Sequence, residues 1–297
     1  MMGGETVGSA SAPWFSSPEV VTAVEHIRPL RGGSQPHLMR CSDGHYYVVK
    51  FANNPQGLRV LANEYLAGRV AKLLGLPCPE ICVIDVKEEI VRLTPALSIE
   101  GVYHRNPVAT GLAFGSRYPS RRYGANRALL SVVDLRLASG LGRVENLSEL
   151  MGILIFDKWT SNIDNRQILC FPRPTRHRRT YRIFMIDNGF CFVGCDWRFK
   201  DSPLQGLYLD KDIYSAVQNL QDFGPWLERL ETRVTLEELK KIVEDIPRSW
   251  FKDDLGQFLE LVNRLYERKQ SVPGLIQQTL TALTSRGSNK LARGAGA

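Results

Sequence analysis

The sequence predicts an α+β protein of two lobes, a small β-rich one followed by a larger, mainly helical one. Three observations carry this. Two β-like runs, about 36–41 and 45–52, flank "SDGH", whose Asp-Gly pair is a strong hairpin signal. The next segment sets Leu61, Tyr65, Val70, Leu73 and Leu74 at helical spacing and stops at Gly75 and Pro77. After residue 96 the pattern changes to loops rich in Gly, Arg and Pro and then to helices.

In chain order, residues 1–18 are rich in Gly, Ser and Ala and read as a mobile leader. Residues 19–96 form the first lobe: the hairpin, the helix, and a strand pair made of "EICVIDV" and "EIVRLTP". Residues 97–285 form the second lobe, and 286–297 a disordered tail. "GLAFGSRYPSRRYGANR" is expected to be a loop beside the cleft between the lobes. "ENLSELMGILIFDKW" has Asn146 and Glu149 at capping-box spacing and continues as an almost wholly apolar, hence buried, helix. Segments 204–220, 235–245 and 253–285 read as amphipathic helices, the second opening on a Thr235/Glu238 capping box.

At 297 residues and 43% hydrophobic content the chain can bury a sizeable core. No apolar run approaches the roughly 20 residues of a bilayer span, and the N-terminus lacks the pattern of a secretory signal. A soluble, cytoplasmic protein is expected, with no membrane partner. Six cysteines without a C-x-x-C agree with reduced thiols; the pairs Cys78/Cys82 and Cys191/Cys195 sit in apolar runs and do not read as a zinc site. A net charge of +7 and basic clusters at 116–127 and 173–182 invite a nucleic-acid reading. The clusters are too short to carry it. Such clusters are usually solvated loops, the alternative being an acidic or phosphorylated ligand met by Arg117, Arg121 and Arg122.

The chemistry lies in three places. "RPLRGGSQPHLMR" contains a turn, Gly32, Gly33 and Ser34, short enough to lay backbone N–H groups over phosphates. Lys50 ends the strand "YYVVKF" and Glu64 lies on the next helix, where its carboxylate can hold the lysine toward a nucleotide; lysine on a strand and glutamate on the following helix is the kinase arrangement. Finally, "FDKWTSNIDNRQILCF" and "RIFMIDNGFCF" place polar groups after a buried helix and a buried strand. Phosphoryl transfer needs a carboxylate to orient the attacking hydroxyl, an amide oxygen for Mg²⁺ and a second carboxylate bridging metal and phosphates. Asp157 and Asn162 supply D-x-x-x-x-N, and Asp187 with Gly189 supplies an analogue of D-F-G.

With these motifs in order, the chain resembles the HipA-like kinases over about residues 22–280, through "RGGSQPHLMRCSDGHYYVVKF", "NEYLAGRVAKLLGLPCP", "LMGILIFDKWTSNIDNRQ" and "MIDNGFCF". The resemblance implies a bilobal protein-kinase-like fold, ATP with Mg²⁺, and a serine or threonine hydroxyl on a protein substrate as acceptor. It also opens a second register. Relatives carry N-x-D-R-H-x-x-N, in which the Asp is the base and the last Asn a metal ligand. Here that register makes Asp164 the base, puts Arg166 in the His place and leaves Leu169 where the metal ligand would be. The register of Asp157 and Asn162 is complete within itself and is preferred. If neither register is competent, the chain is a nucleotide-binding pseudokinase or a nucleic-acid-binding regulator.

Overall fold

The Asp-Gly turn closes the hairpin its residues dictate. In the computed structural model, which describes residues 20–294 apart from 124–125, 131, 136–143, 175–178, 209–210, 215–216, 218 and 252, β2 (His37–Cys41) pairs antiparallel with β3 (Tyr46–Lys50). Gly44 takes φ +76° in the turn, where a side chain would be strained, and Asp43 Oδ1 accepts the His45 N–H at 2.9 Å. β1 (Val20–Pro29), β4 (Ile81–Val86) and β7 (Gly111–Tyr118) complete a closed barrel in the order β1-β2-β3-β7-β4, with β1 and β4 parallel. Met39, Tyr47, Val49, Ile84 and Ala113 are among the side chains that fill it.

Two expectations change here. "EIVRLTP" is not a strand: α2 (Glu88–Leu93) forms instead, with Glu88 and Glu89 in its first turn, where carboxylates favour a helix N-terminus. Nor is "GLAFGSRYP" a loop, because β7 is the barrel strand that lies between β3 and β4. Past residue 96 the chain forms β5 (Ser98–Glu100) and β6 (Arg105–Pro107), a two-stranded sheet of their own, before β7 returns to the barrel. The short strands β8 (Ser120–Tyr123) and β9 (Asn126–Leu129) follow as a hairpin; the side chains of Arg121 and Arg122 lie outside the described residues, as does the leader.

Between the lobes runs α1 (Arg59–Leu74), capped by Gly75 in the left-handed conformation. Its apolar face, including Leu61, Tyr65, Leu66 and Val70, packs into the larger core with Phe156, Trp159, Trp250 and Phe258. The central helix is α3 (Glu149–Trp159). Its capping box does not form at the backbone: Asn146 Oδ1 accepts the Ile183 N–H at 2.9 Å and so ties the helix start to the sheet of β10 (Val133–Asp134), β11 (Gln167–Pro174) and β12 (Arg179–Ile186). The described residues of segment 204–220 form turns, the 3-10 helix Lys211–Tyr214 and the start of another, Leu220–Phe223, where a longer helix is expected. The helix starts later, as α4 (Gly224–Arg233), with Pro225 in its first turn. α5 (Leu236–Glu244) begins with half of the expected capping box, Thr235 Oγ1 accepting the Glu238 N–H at 3.1 Å. Segment 253–285 is two helices, α6 (Leu255–Glu267) and α7 (Val272–Gly294), separated by a 3-10 turn, and α7 continues as helix into the expected tail.

Candidate active site

A cavity of about 360 Å³ opens between the barrel and the β11–β12 hairpin. Gly32, Gly33 and Ser34 line it from the β1–β2 turn, Lys50 from the end of β3, Glu64 from α1, and Asp164, Gln167, Leu169 and Asp187 from the opposite lobe. Lys50 Nζ is paired with Glu64 and donates to Asp187 Oδ1 at 2.8 Å. Burial pushes its pKa down, but the two carboxylates more than offset this, so the ammonium stays charged above its ordinary range. Asp187 is held below the usual carboxylate range: burial opposes this, and the attraction and hydrogen bond of Lys50 outweigh it.

Helix α1 sets this geometry through residues 60, 63 and 64, which share one face at helical spacing. Glu64 Oε2 accepts the Asn188 N–H at 3.0 Å, so one carboxylate holds both the lysine and the backbone after Asp187. Asn63 Nδ2 donates to the carbonyls of Gly189 and Gly194 at 2.9 and 2.8 Å, and its Oδ1 accepts Trp197 Nε1–H at 2.8 Å. Val60 packs so closely on Gly189 that a Cβ there would lie 2.7 Å from Val60 Cγ1, which is why the third residue of D-N-G is glycine.

The loop after α3 is arranged differently from the preferred register. Asp157 is 1% exposed, and both of its oxygens face Arg166, with Nε at 3.2 and 3.0 Å and Nη2 closer still. Asn162 is equally buried and donates through Nδ2 to Asp157 Oδ1 at 2.9 Å, while its Oδ1 accepts the Asp164 N–H at 3.1 Å. Neither residue borders the cavity. Asp157 and Asn162, expected to orient a hydroxyl and to bind a metal, are turned to each other and to Arg166: an acid inside an apolar helix is buried with it and is neutralised by a buried cation. Arg166 passes that support on. Its Nη1 donates to the Ile186 carbonyl at 2.7 Å and to Asn188 Oδ1 at 3.0 Å, bracing both sides of Asp187, whose backbone sits at φ +61°. Asp164 is the loop carboxylate that reaches the cavity.

The sequence matches the family described as HipA-like kinase over residues 23–273. The chain belongs to the HipA-like kinase family. Among solved structures it is similar to the proinflammatory kinase CtkA of Helicobacter pylori, with 14% identity, a TM-score of 0.51, and 87% of this chain and 94% of that one covered. It also aligns with the HipA of Shewanella oneidensis MR-1 in its complex with HipB and operator DNA, at 10% identity and a TM-score of 0.45, covering 86% of this chain and 65% of that one. A Golgi casein kinase with Mn/ADP bound aligns at 12% identity and a TM-score of 0.42, covering 91% and 75%. No curated protein matches the sequence. The protein-kinase-like fold and a kinase-type phosphotransferase follow from the family. Of the residues singled out by sequence, Lys50, Glu64, Asp164, Asp187 and the glycine turn meet at one cavity, and Asp157 and Asn162 lie beneath it. Sequence reading passed over Asn63, although an amide beside Glu64 between the apolar residues 60–62 and 65–67 signals a buried polar contact.

Proposed function

We propose that this HipA-like kinase transfers the γ-phosphoryl group of ATP, with Mg²⁺, to a serine or threonine hydroxyl of a protein substrate. The observation that carries the reading is the meeting of Lys50, Glu64, Asp164 and Asp187 on one cavity. In this reading Lys50 contacts the phosphates, Glu64 holds it there, and the turn Gly32-Gly33-Ser34 covers them with backbone N–H groups. Asp164 accepts the hydrogen bond of the attacking hydroxyl and aligns it. Arg28, Arg31 and Arg117 also line the cavity and add positive potential suited to a polyphosphate rather than to extended nucleic acid. The apolar part of the lining, Val48, Ile81, Phe114 and Leu169 among it, suits a purine base.

The oxygen donors present fit a hard divalent cation: the Asp187 carboxylate faces the cavity with its side chain 28% exposed, and the Gln167 amide lies beside it. When bound, Mg²⁺ would neutralise charge on the phosphates. Six cysteines that form no disulfide agree with action in the reducing cytoplasm. Thermal melting with ATP and Mg²⁺ tests the reading: the wild type should be stabilised by mass action and Asp187→Asn much less. A wild type that shows no shift at millimolar ATP and Mg²⁺ would refute it.

A further inference from the structure

We infer that the side-chain amide of Gln167 is the neutral oxygen ligand for the divalent cation held by Asp187. The inference rests on the phosphotransfer reading and goes beyond it by assigning a residue. The argument starts from strand register. β11 begins at Gln167 and pairs antiparallel with β12 through Gln167↔Ile186 and Leu169↔Phe184. Side chains alternate along a strand, so Gln167, Leu169 and Phe171 line the cavity while Ile168 and Cys170 enter the core. Gln167 is paired with Ile186, the last residue of β12, and its side chain reaches the next residue, Asp187, while Leu169 stands two residues, or roughly 6.6 Å, farther along the strand.

Among Asn162, Asn188 and Gln167, hydrogen bonding then singles out one amide. Asn162 Oδ1 is taken by the Asp164 N–H at 3.1 Å, and Asn188 Oδ1 by Arg166 Nη1 at 3.0 Å. Gln167 Nε2 donates to Asp187 Oδ2 at 2.8 Å, and its Oε1 has no donor among the described residues. An amide rotated by 180° exchanges its oxygen and nitrogen in place. That rotation sets Oε1 beside Oδ2, two oxygens that repel when alone and converge on a cation when one is present. Gln167 thus serves as a donor that steadies Asp187 without metal and as a ligand with it. One carboxylate, one amide oxygen and phosphate oxygens are the hard donor set that Mg²⁺ and Mn²⁺ accept.

The test is Mn²⁺ binding to the full chain in complex with the non-hydrolysable analogue AMP-PNP, read from the electron paramagnetic resonance signal of free Mn²⁺. Gln167 is exposed, so its substitution is compatible with folding, and melting curves verify this. Gln167→Leu should weaken Mn²⁺ at least about tenfold, and Gln167→Glu should keep wild-type affinity or exceed it. Wild-type affinity in Gln167→Leu would overturn the assignment while leaving the phosphotransfer reading intact. AMP-PNP binding by the wild type with no dependence on Mn²⁺ would overturn both.

Discussion

Replacing Asp157 by Asn should cost folding stability first and turnover only as a consequence. The side chains of Arg166 and Asp157 are 0% and 1% exposed, so the substitution leaves a guanidinium in the interior without its counter-charge. Breaking one partner of a buried pair typically costs about 3–5 kcal/mol, and Asn keeps one acceptor oxygen, so about 3 kcal/mol is the expected loss. For a domain of this size that corresponds to a fall in Tm of about 6–12 °C. Thermal melting of the nucleotide-free protein measures it. Arg166→Met should cost a similar amount by leaving Asp157 unpaired, and the Asp157→Leu/Arg166→Met double variant should cost clearly less than the sum. The reasoning fails if Asp157→Asn melts within about 1 °C of the wild type yet loses phosphotransfer by orders of magnitude, because Asp157 would then act on the reaction directly.

Gly189→Ala should destabilise by about 1–3 kcal/mol, because its Cβ would meet Val60 Cγ1 at 2.7 Å and push α1 from the segment after Asp187; chemical denaturation checks the value. Acid should weaken the first lobe through His37, whose Nδ1 lies 2.9 Å from His26 Nε2 and whose Nε2 lies 3.2 Å from the Ser98 carbonyl oxygen. Burial, with His26 adding to it, lowers the His37 pKa from 6.5 to about 4. The unfolded chain then binds more protons than the folded one between those values, so stability falls as pH drops from 6.5 toward 4, by up to about 2 kcal/mol at pH 5. His37→Gln should flatten this slope in melting curves recorded between pH 7 and 5, and an unchanged slope would remove His37 from the account.

Much of the first lobe is legible because its signals are local. Asp43-Gly44 makes the turn, Gly75 ends α1, and strand alternation followed by helical spacing brings Lys50 and Glu64 together. β7 is hidden by its glycines. Gly115 reads as a breaker, yet a Cβ there would lie 2.6 Å from Ile84 Cγ1, so the residue is small because β4's side chain needs the space. The catalytic loop misleads for a different reason. D-x-x-x-x-N counts residues and says nothing of burial, whereas α3 carries Asp157 into the core on the same apolar sequence that identifies the helix. Its partner Arg166 lies nine residues on, at a separation that no helix or strand period connects. The role of Gln167 depends on where β11 begins, which pairing with β12 determines.

The central claim is that Asp164, at the cavity, and not Asp157, beneath it, aligns the attacking hydroxyl. The most direct measurement is transfer of label from γ-labelled ATP to protein fractions of a lysate, compared between Asp164→Asn and the wild type at equal ATP occupancy. Asp164→Asn should melt like the wild type, keep the stabilisation by ATP and Mg²⁺, and lose transfer by about 10²-fold or more, since its interaction matters chiefly in the transition state. Transfer near the wild-type rate by Asp164→Asn would contradict the claim.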